Sequence, residues 1–441
     1  MLTIKKLIAP LAALVGLTAV AFEAQATPAF ARQMEMNCFG CHNQSVPMLN
    51  SFGRQFKLSG YTMTSGNKSM ITGGDLGLSV PLAINAGVGV KSTVIDNDAP
   101  NKRAEIAIPA GSALMVGGKL SENMGANILI GNDGMGHLQV AYSAPVAAGN
   151  AGLSYYGTMG HGPFIAVESH NTGLHKELGL FDSSKRTNAA QFMGMGLGSG
   201  PATGMTAFYG GHGLKAAFGM WSLGFNSTNW NGGVDTAGSM GSLYRLTYDT
   251  PQFAGWGISI GAFGVSGTHE GSTDLLFENT KLATSGWVVP GDVNDHEVTA
   301  SGFDIQAQGQ IVGIDTQIVV SNVSNYEFTL REQDGTLTPM PNPQTVAANM
   351  MDRDLAATSI QIQIMPTSAW GVRVGYMTVD DARATTTVGP NTYVEQSGVT
   401  TSYGVNYNYA DNVRFSLESS TKDPDTGTSD TQIQLTTIVA F

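Results

Sequence analysis

The sequence predicts an all-β protein whose main part is a transmembrane antiparallel β-barrel of about 16 strands. The first observation is a low content of charged side chains, 13% of the chain, together with 56 glycines in 441 residues. The second is a period-two alternation of apolar and polar residues, which indicates strands with two different faces. The third is an apolar N-terminal leader, which indicates export from the cytoplasm.

The leader, residues 1–26, has the pattern of a secretory signal peptide. Lys5 and Lys6 precede an apolar run from 7 to 22, and Ala24-Gln25-Ala26 has the small-x-small form of a cleavage site. An N-terminal membrane anchor is the alternative, but the run is short for a spanning helix, which needs about 20 apolar residues. Later apolar runs are interrupted every few residues, so the sequence predicts that any membrane spanning is by β-strands.

The alternation is clearest in the C-terminal half, where Ile360, Ile362 and Ile364 alternate with Gln361 and Gln363. The same pattern recurs in "WGVRVGY", "SYGVNYNYA", "VRFSLES" and "TQIQLTTIVAF". In a membrane barrel the apolar face contacts lipid, the polar face lines the lumen, and aromatic residues gather near the strand ends. The terminal aromatic residue resembles the assembly signal of outer-membrane proteins. A soluble sandwich, whose apolar faces share one core, is the alternative.

Two segments lose the alternation, 266–297 and 326–354, and are predicted to be long external loops. The formal net charge of −12 argues against a nucleic-acid partner, which requires basic patches. The acidic side chains of the two segments are candidates for attracting a cation. They include Glu270, Asp274, Asp292, Asp295, Asp352 and Asp354.

Both cysteines of the chain lie in one motif near the N-terminus, Cys38-Phe39-Gly40-Cys41-His42. This spacing is the attachment signature of a c-type haem, because each thiol can bond one haem vinyl group and the adjacent histidine can ligate the iron. The sequence therefore predicts one covalent haem c on Cys38 and Cys41, with His42 as the proximal iron ligand. A disulfide, a thioredoxin-like redox pair and a zinc site are the alternatives.

The sixth ligand of the haem iron remains open, because His42 is the only histidine between residues 27 and 75. A methionine thioether at this position raises the haem potential. Four methionines are available in the segment: Met34, Met36, Met48 and Met63. Met48 is close to His42 in sequence, and Met63 follows a Gly60-Tyr61 turn that can fold back over the opposite haem face. These two are the favoured candidates, and apolar packing around the porphyrin is the alternative role.

The segment from Phe30 to Tyr61 resembles the N-terminal part of the fused monohaem cytochrome–porins, which are outer-membrane iron(II) oxidases of iron-oxidising bacteria. The matching features are Phe30-Ala31-Arg32-Gln33, Cys38-x-x-Cys41-His42, Pro47-x-Leu49-Asn50, Phe52-Gly53-Arg54, Phe56-Lys57 and Gly60-Tyr61. The remainder agrees only in size and barrel pattern. We therefore divide the chain into a signal peptide (1–26), a monohaem cytochrome segment (27–75) and a porin-like outer-membrane barrel (76–441).

The resemblance implies an iron(II):cytochrome c oxidoreductase-type electron transfer, from extracellular iron(II) through one haem to a periplasmic carrier such as a soluble cytochrome. It also suggests that Arg54 and Lys57 contact the haem propionates, and their spacing of three puts them on one helical face. A solvated or lumen-facing cation is the alternative role for each. A conduit for another electron donor and a haem-plugged porin are the alternative functions.

One haem must then serve a donor and an acceptor on opposite sides of an apolar band about 25 Å tall. A cytochrome segment hanging free in the periplasm would be too far from an external donor. We therefore expect residues 27–75 inside the barrel or at its mouth, since a barrel of about 16 strands is wide enough to hold a small segment.

Overall fold

The computed structural model describes most of the chain from residue 29 to residue 440. The described residues are 29–36, 40–42, 49–64, 82–95, 103–107, 113–131, 134–158, 161–167, 186–193, 197–198, 202–222, 240–271, 294–332, 353–382, 386–388, 391–393, 395–410 and 413–440. Several predictions fall outside these residues: the signal peptide, Cys38, Met48, Asp274, Asp292, Asp352 and the terminal Phe441.

Strands make up most of the described chain. They are β1 (Leu82–Ile95), β2 (Arg103–Ala107), β3 (Ala113–Ser121), β4 (Met124–Gly131), β5 (Gly134–Val146), β6 (Gly149–Thr158), β7 (Ala202–Gly211), β8 (Leu214–Ser222), β9 (Gly241–Asp249), β10 (Gly257–Gly271), β11 (Asn294–Ile311), β12 (Ile314–Glu332), β13 (Arg353–Met365), β14 (Trp370–Asp381), β15 (Thr386–Val388), β16 (Asn391–Tyr393), β17 (Gly398–Ala410), β18 (Val413–Pro424) and β19 (Asp430–Ala440).

The helices are short. They are α1 (Ala29–Met34), α2 (Ser51–Leu58), a single 3-10 turn (Pro163–Ala166) and α3 (Ala189–Met193). Among the described residues, no helix has the length and apolar character needed to cross a membrane.

Seventeen of the described strands form one antiparallel sheet, which closes on itself because β1 pairs with β19. β2 and β3 pair in succession with the same strand, β1, and so share one position in the ring. The 17 described strands of the sheet therefore occupy sixteen positions around the ring. β15 and β16 form a separate small hairpin. The predicted barrel of about 16 strands is confirmed.

The polar face of the strands points into the barrel and the apolar face points outward. On β13, Ile360 and Ile364 are 38% and 39% exposed, whereas Gln361 and Gln363 are 6% and 3% exposed. Along β14 every second residue is buried, and buried Arg373 alternates with exposed apolar neighbours. A soluble sandwich would bury the apolar face, so the predicted membrane-spanning arrangement is confirmed.

The two ends of the barrel differ in the length of their connections. At the turn end, two-residue turns join β5 to β6, β7 to β8 and β11 to β12. Gly213 and Gly313 have φ of 80° and 76° there, the left-handed backbone that such tight turns require. At the loop end, longer connections join β6 to β7, β8 to β9, β10 to β11 and β12 to β13. The start of β1 and the end of β19 both lie at the turn end.

The two predicted external loops are shorter than expected, because strand pairing continues into both of them. β10 and β11 pair as far as Gly271 and Asn294, and β12 pairs with β11 as far as Glu332. The loop assignment was therefore wrong for Glu270, Asp295 and Asp354, which lie in β10, β11 and β13. A strand that extends beyond the lipid has water on both faces, so it does not need the alternation by which strands are recognised.

Candidate haem site in the barrel lumen

Two helices of the cytochrome segment, α1 and α2, lie against the inner face of the barrel near the turn end. Arg54 of α2 donates a hydrogen bond from Nη1 to Oε1 of Gln306 on β11, at 2.9 Å. The hydroxyl of Tyr61 donates to Oε1 of Gln139 on β5, at 2.7 Å. Both glutamines are buried on the polar inner face of their strands. The expectation that the segment lies within the barrel therefore agrees with these contacts.

The barrel wall carries glycines where the segment approaches it most closely. A Cβ added to Gly125 on β4 would lie 2.3 Å from the carbonyl oxygen of Gly60. A Cβ added to Gly117 on β3 would lie 2.8 Å from the ring of Phe30 in α1. Since a Cβ contact shorter than about 3 Å forces displacement, these glycines shape the wall to receive the segment.

Gln33 of α1 joins the end of the segment to the wall. Its Nε2 donates to the carbonyl oxygens of Tyr61 and Met63, each at 2.7 Å. Its Oε1 accepts from the backbone N–H of Lys119 on β3, at 3.1 Å. One buried amide thus satisfies three backbone groups, and this holds the chain around Met63 close to α1.

Cys41 and His42 are held against the beginning of α2 by Asn50, the N-cap residue. The side chain of Asn50 accepts from the N–H of Gly53 at 2.9 Å and donates to the carbonyl oxygen of Gly40 at 3.0 Å. Its backbone N–H donates to the carbonyl oxygen of Cys41 at 2.9 Å. An N-cap amide of this kind stabilises the first helical turn, and here it also positions the attachment motif.

The backbone of the motif packs tightly on its neighbours, while its functional side chains stay accessible. A Cβ on Gly53 would lie 2.2 Å from the carbonyl oxygen of Cys41, and one on Gly40 would lie 2.6 Å from Sδ of Met36. Cys41 and His42 are both half-buried. A half-buried thiol next to a half-buried imidazole suits covalent attachment of haem, because both groups can be reached by the porphyrin edge.

An apolar cluster lies beside the motif and has the composition of a haem pocket. Its buried members are Met34, Phe56, Tyr61 and Ala141, and the residues packed against them are Phe30, Met36, Phe52 and Met63. Phe30 stacks on Tyr61 with ring centroids 5.0 Å apart. Sδ of Met36 lies 4.0 Å from Sγ of Cys41, which connects the cluster to the motif. These residues fit a haem, since they offer an apolar surface next to the attachment groups.

Arg54 and Lys57 join the segment to the barrel. They are 3% and 5% exposed. Arg54 donates to Gln306, and Nζ of Lys57 donates to the carbonyl oxygen of Ile165. Both side chains thus make the contacts of lumen-facing cations, which is the alternative role that the sequence left open. Their binding to the haem propionates stays a prediction.

The connection between β6 and β7 fills part of the lumen, and the sequence analysis did not identify it. We call two of its described parts, 161–167 and 186–193, the inner loop. Its 3-10 turn contacts β6 and β7, whereas α3 contacts β12 and β13. The backbone N–H of Ala189 donates to Oγ of Ser359 on β13, at 3.1 Å. The run "PFIAV", apolar without alternation, is the sequence signal that could have located it.

The inner loop packs with the surrounding strands into an apolar core on one side of the lumen. Phe164, Ile165 and Met193 are completely buried. Phe164 meets Phe263 of β10 edge-on, with ring centroids 5.8 Å apart. The inner faces of the strands contribute Tyr156, Phe208, Trp221, Leu243, Val265, Val298, Tyr326, Leu355 and Met377. Within the described chain, this side of the lumen is therefore filled by side chains.

Comparison with known proteins gives distant structural likeness only. No family model and no curated protein matches the chain. The outer-membrane expressed OmpT of Vibrio cholerae is 13% identical, with a TM-score of 0.47, over 84% of this chain and 100% of that chain. An anion-selective porin from Comamonas acidovorans is 13% identical, with a TM-score of 0.44, over 82% and 99%. Likeness at this level carries no information about function.

The position of the attachment motif along the barrel axis determines how close an attached redox group would lie to each end of the barrel. Oγ of Ser143, close to the turn end of β5, donates to the carbonyl oxygen of Leu58 at the end of α2. Lys57, one residue earlier, contacts the inner loop, which enters from the loop end. The end of α2 thus lies between the inner loop and the turn end, and a haem attached beside α2 would have the two barrel ends on opposite sides.

Proposed function

We propose that the protein is an outer-membrane electron conduit, which oxidises iron(II) at the cell surface through one c-type haem and passes the electrons to a periplasmic carrier such as a soluble cytochrome. The observation that carries the proposal is the hydrogen bond from Arg54 to Gln306, which seats the helix next to the attachment motif inside the lumen. A redox group attached there would lie in the lumen between the two ends of the barrel, and a single centre would then serve both sides of the membrane.

The orientation of the barrel supports the same direction of electron flow. In outer-membrane barrels, short turns face the periplasm and long connections face the outside. The loop end, from which the inner loop enters, would then face the iron(II) donor. The turn end, near which α2 lies, would face the periplasmic carrier.

The chemical demand on the protein is small. Haem c, when bound, supplies a one-electron redox centre. Cys38 and Cys41 would hold it covalently, His42 would supply a nitrogen ligand, and the apolar cluster would keep water from its faces. Iron(II) gives up one electron and leaves as iron(III), without any bond to a carbon or phosphorus atom being made or broken. The transfer therefore requires no general acid or base.

A haem-plugged porin is the rival function. Phe164, Ile165 and Met193 of the inner loop are completely buried against the strands, and Lys57 links the cytochrome segment to the same loop. Among the described residues, side chains packed to this extent fill this part of the lumen and oppose the passage of a solute. These contacts favour electron transfer over solute passage. Whether the electron donor is iron(II) or another reductant is decided by whether added iron(II) reduces the haem.

The experiment follows the visible haem spectrum of intact cells of a bacterium that does not itself oxidise iron. In cells that express the full chain, added iron(II) should reduce the haem. The double variant Cys38→Ala/Cys41→Ala should contain no covalent haem, whereas the control Gln55→Ala, at an exposed position of α2, should behave like the wild type. A haem that dithionite reduces but iron(II) leaves oxidised would contradict the choice of donor. Covalent haem in the double variant would contradict the attachment site.

A further inference from the structure

Two histidines meet in the lumen beside the cytochrome segment. His137 lies on the inner face of β5 and is completely buried. His161 is half-buried at the beginning of the inner loop. Their ring centroids are 5.9 Å apart and the ring planes are at 87°. The two rings thus come from a wall strand and from the loop that enters the lumen, and they lie next to each other.

The spacing of the two rings suits one metal ion between them. Imidazole nitrogens bind such ions at about 2.0–2.1 Å, which places the ring centroids about 5.2 Å apart at a tetrahedral angle. The observed separation of 5.9 Å is a little wider, and a small rotation of the His161 side chain closes the difference. Imidazole is a ligand for zinc, copper, iron and nickel, whereas calcium and magnesium prefer oxygen. The pair therefore selects divalent transition metals.

The inner face of β5 places this pair next to the cytochrome segment. Counted from the turn end, its buried positions are Ser143, Ala141, Gln139 and His137. Ser143 and Gln139 hydrogen-bond to the segment, and Ala141 belongs to its apolar cluster. His137 is the next buried position toward the loop end. A metal ion at the histidine pair would therefore lie one inner-face position beyond Gln139, the partner of the Tyr61 hydroxyl.

We propose that His137 and His161 bind one divalent transition-metal ion in the lumen, directly on the loop-end side of the cytochrome segment. Two protein ligands leave the other coordination positions to water, and such a site binds an ion weakly enough to release it. Within the proposed function, on which this assignment rests, the ion is the iron(II) donor held close to the haem. Metal binding by the two histidines does not itself depend on the haem being reduced.

The test is titration of cobalt(II) into the purified, haem-loaded full chain in detergent, followed by calorimetry and by X-ray absorption at the cobalt edge. The wild type should bind one ion with imidazole ligands. His137→Ala and His161→Ala should each weaken binding at least tenfold and lose the imidazole signal. The matched control is His212→Asn, at an exposed turn-end position with φ of 52°, which asparagine tolerates. That variant should bind cobalt(II) like the wild type.

The outcomes separate this site from the proposed function. Wild-type affinity in both His137→Ala and His161→Ala overturns the metal site. His161→Gln provides a variant of similar size in case one alanine variant does not fold, and the haem spectrum reports that the segment is still seated. If cobalt(II) binding is lost in the variants but iron(II) does not reduce the wild-type haem, the metal site stands and the iron oxidation fails. If iron(II) reduces the wild-type haem but cobalt(II) binding is unchanged in the variants, the iron oxidation stands and the metal site fails.

Discussion

Arg54 and Gln306 are 252 positions apart in the sequence, yet a hydrogen bond of 2.9 Å joins them inside the barrel. Both side chains are almost completely buried, at 3% and 2% exposure. Nη1 of Arg54 also donates to the carbonyl oxygen of Leu49, just before α2, at 3.0 Å. One guanidinium therefore connects the beginning of α2 to β11, a strand far from the β3 to β5 wall that the segment also contacts.

Replacing Arg54 should loosen the seating of the cytochrome segment. Arg54→Ala removes the charged donor and leaves the buried carbonyl of Leu49 and the amide of Gln306 without it, at a cost of about 1.5–3 kcal/mol. We expect the segment to detach at a lower urea concentration, and the ion conductance of the protein in planar bilayers to rise. Gln55→Ala, on the exposed side of the same helix, should change neither. If Arg54→Ala changes neither the ion conductance nor the urea concentration at which the segment detaches, Arg54 does not hold the segment in the lumen.

Gly53 should be essential for the position of the attachment motif. An added Cβ would lie 2.2 Å from the carbonyl oxygen of Cys41, a backbone atom that cannot turn aside. Gly53→Ala should therefore displace Cys41 and His42 and reduce the haem content per chain, which haem absorbance against protein concentration measures. In the control, Gly257→Ala, an added Cβ meets no atom within 4 Å. Full haem content in Gly53→Ala would show that the motif tolerates displacement.

The distal haem ligand can be found from the reduction potential. Loss of a methionine thioether from the iron lowers the potential. We expect either Met48→Leu or Met63→Leu to lower it, as measured by spectroelectrochemistry. Met36→Leu should leave it unchanged, because Sδ of Met36 packs beside Sγ of Cys41, at 4.0 Å. A fall in potential in Met36→Leu alone would assign the ligand to Met36 instead.

The barrel wall beneath the segment contains a buried ion pair that should stabilise the strands. Arg245 of β9 reaches across Gly261 of β10 to Asp304 of β11, and the closest N–O distance of the pair is 2.7 Å. Asp304→Ala leaves the guanidinium buried without this partner, and should lower the free energy of unfolding by about 3–5 kcal/mol. Urea unfolding in detergent, followed by tryptophan fluorescence, measures the change.

The control for the ion pair is Asp315→Ala. Asp315 accepts a hydrogen bond from Gln310 at the exposed turn end of the same hairpin. Exposed polar contacts contribute little to stability, about 0–1 kcal/mol. Equal loss of stability in the two variants would mean that the burial of Asp304 does not matter.

The strands were predictable because their signal is a short-range pattern, and the haem-attachment site, which stays a prediction, also rests on a short-range pattern. Ile360 to Ile364 alternate with glutamines, and a period of two indicates a strand without knowledge of its neighbours. Cys38, Cys41 and His42 are close enough in sequence for spacing alone to indicate a haem site. Prediction was wrong at Glu270 and Asp295, because the ladder of β10 and β11 continues where solvent replaces lipid and the alternation is no longer needed.

The contacts between side chains across the lumen, in contrast, depend on the tertiary structure of the closed barrel. His137 meets His161, and Lys57 meets Ile165, because the inner loop turns into the lumen instead of outward. Arg54 meets Gln306 because pairing of β1 with β19 brings strands from distant parts of the chain around one small segment. A local sequence pattern determines which face of each strand is polar. Which residues meet across the lumen depends on strand order, register and loop direction, and residue spacing within one segment does not carry this information.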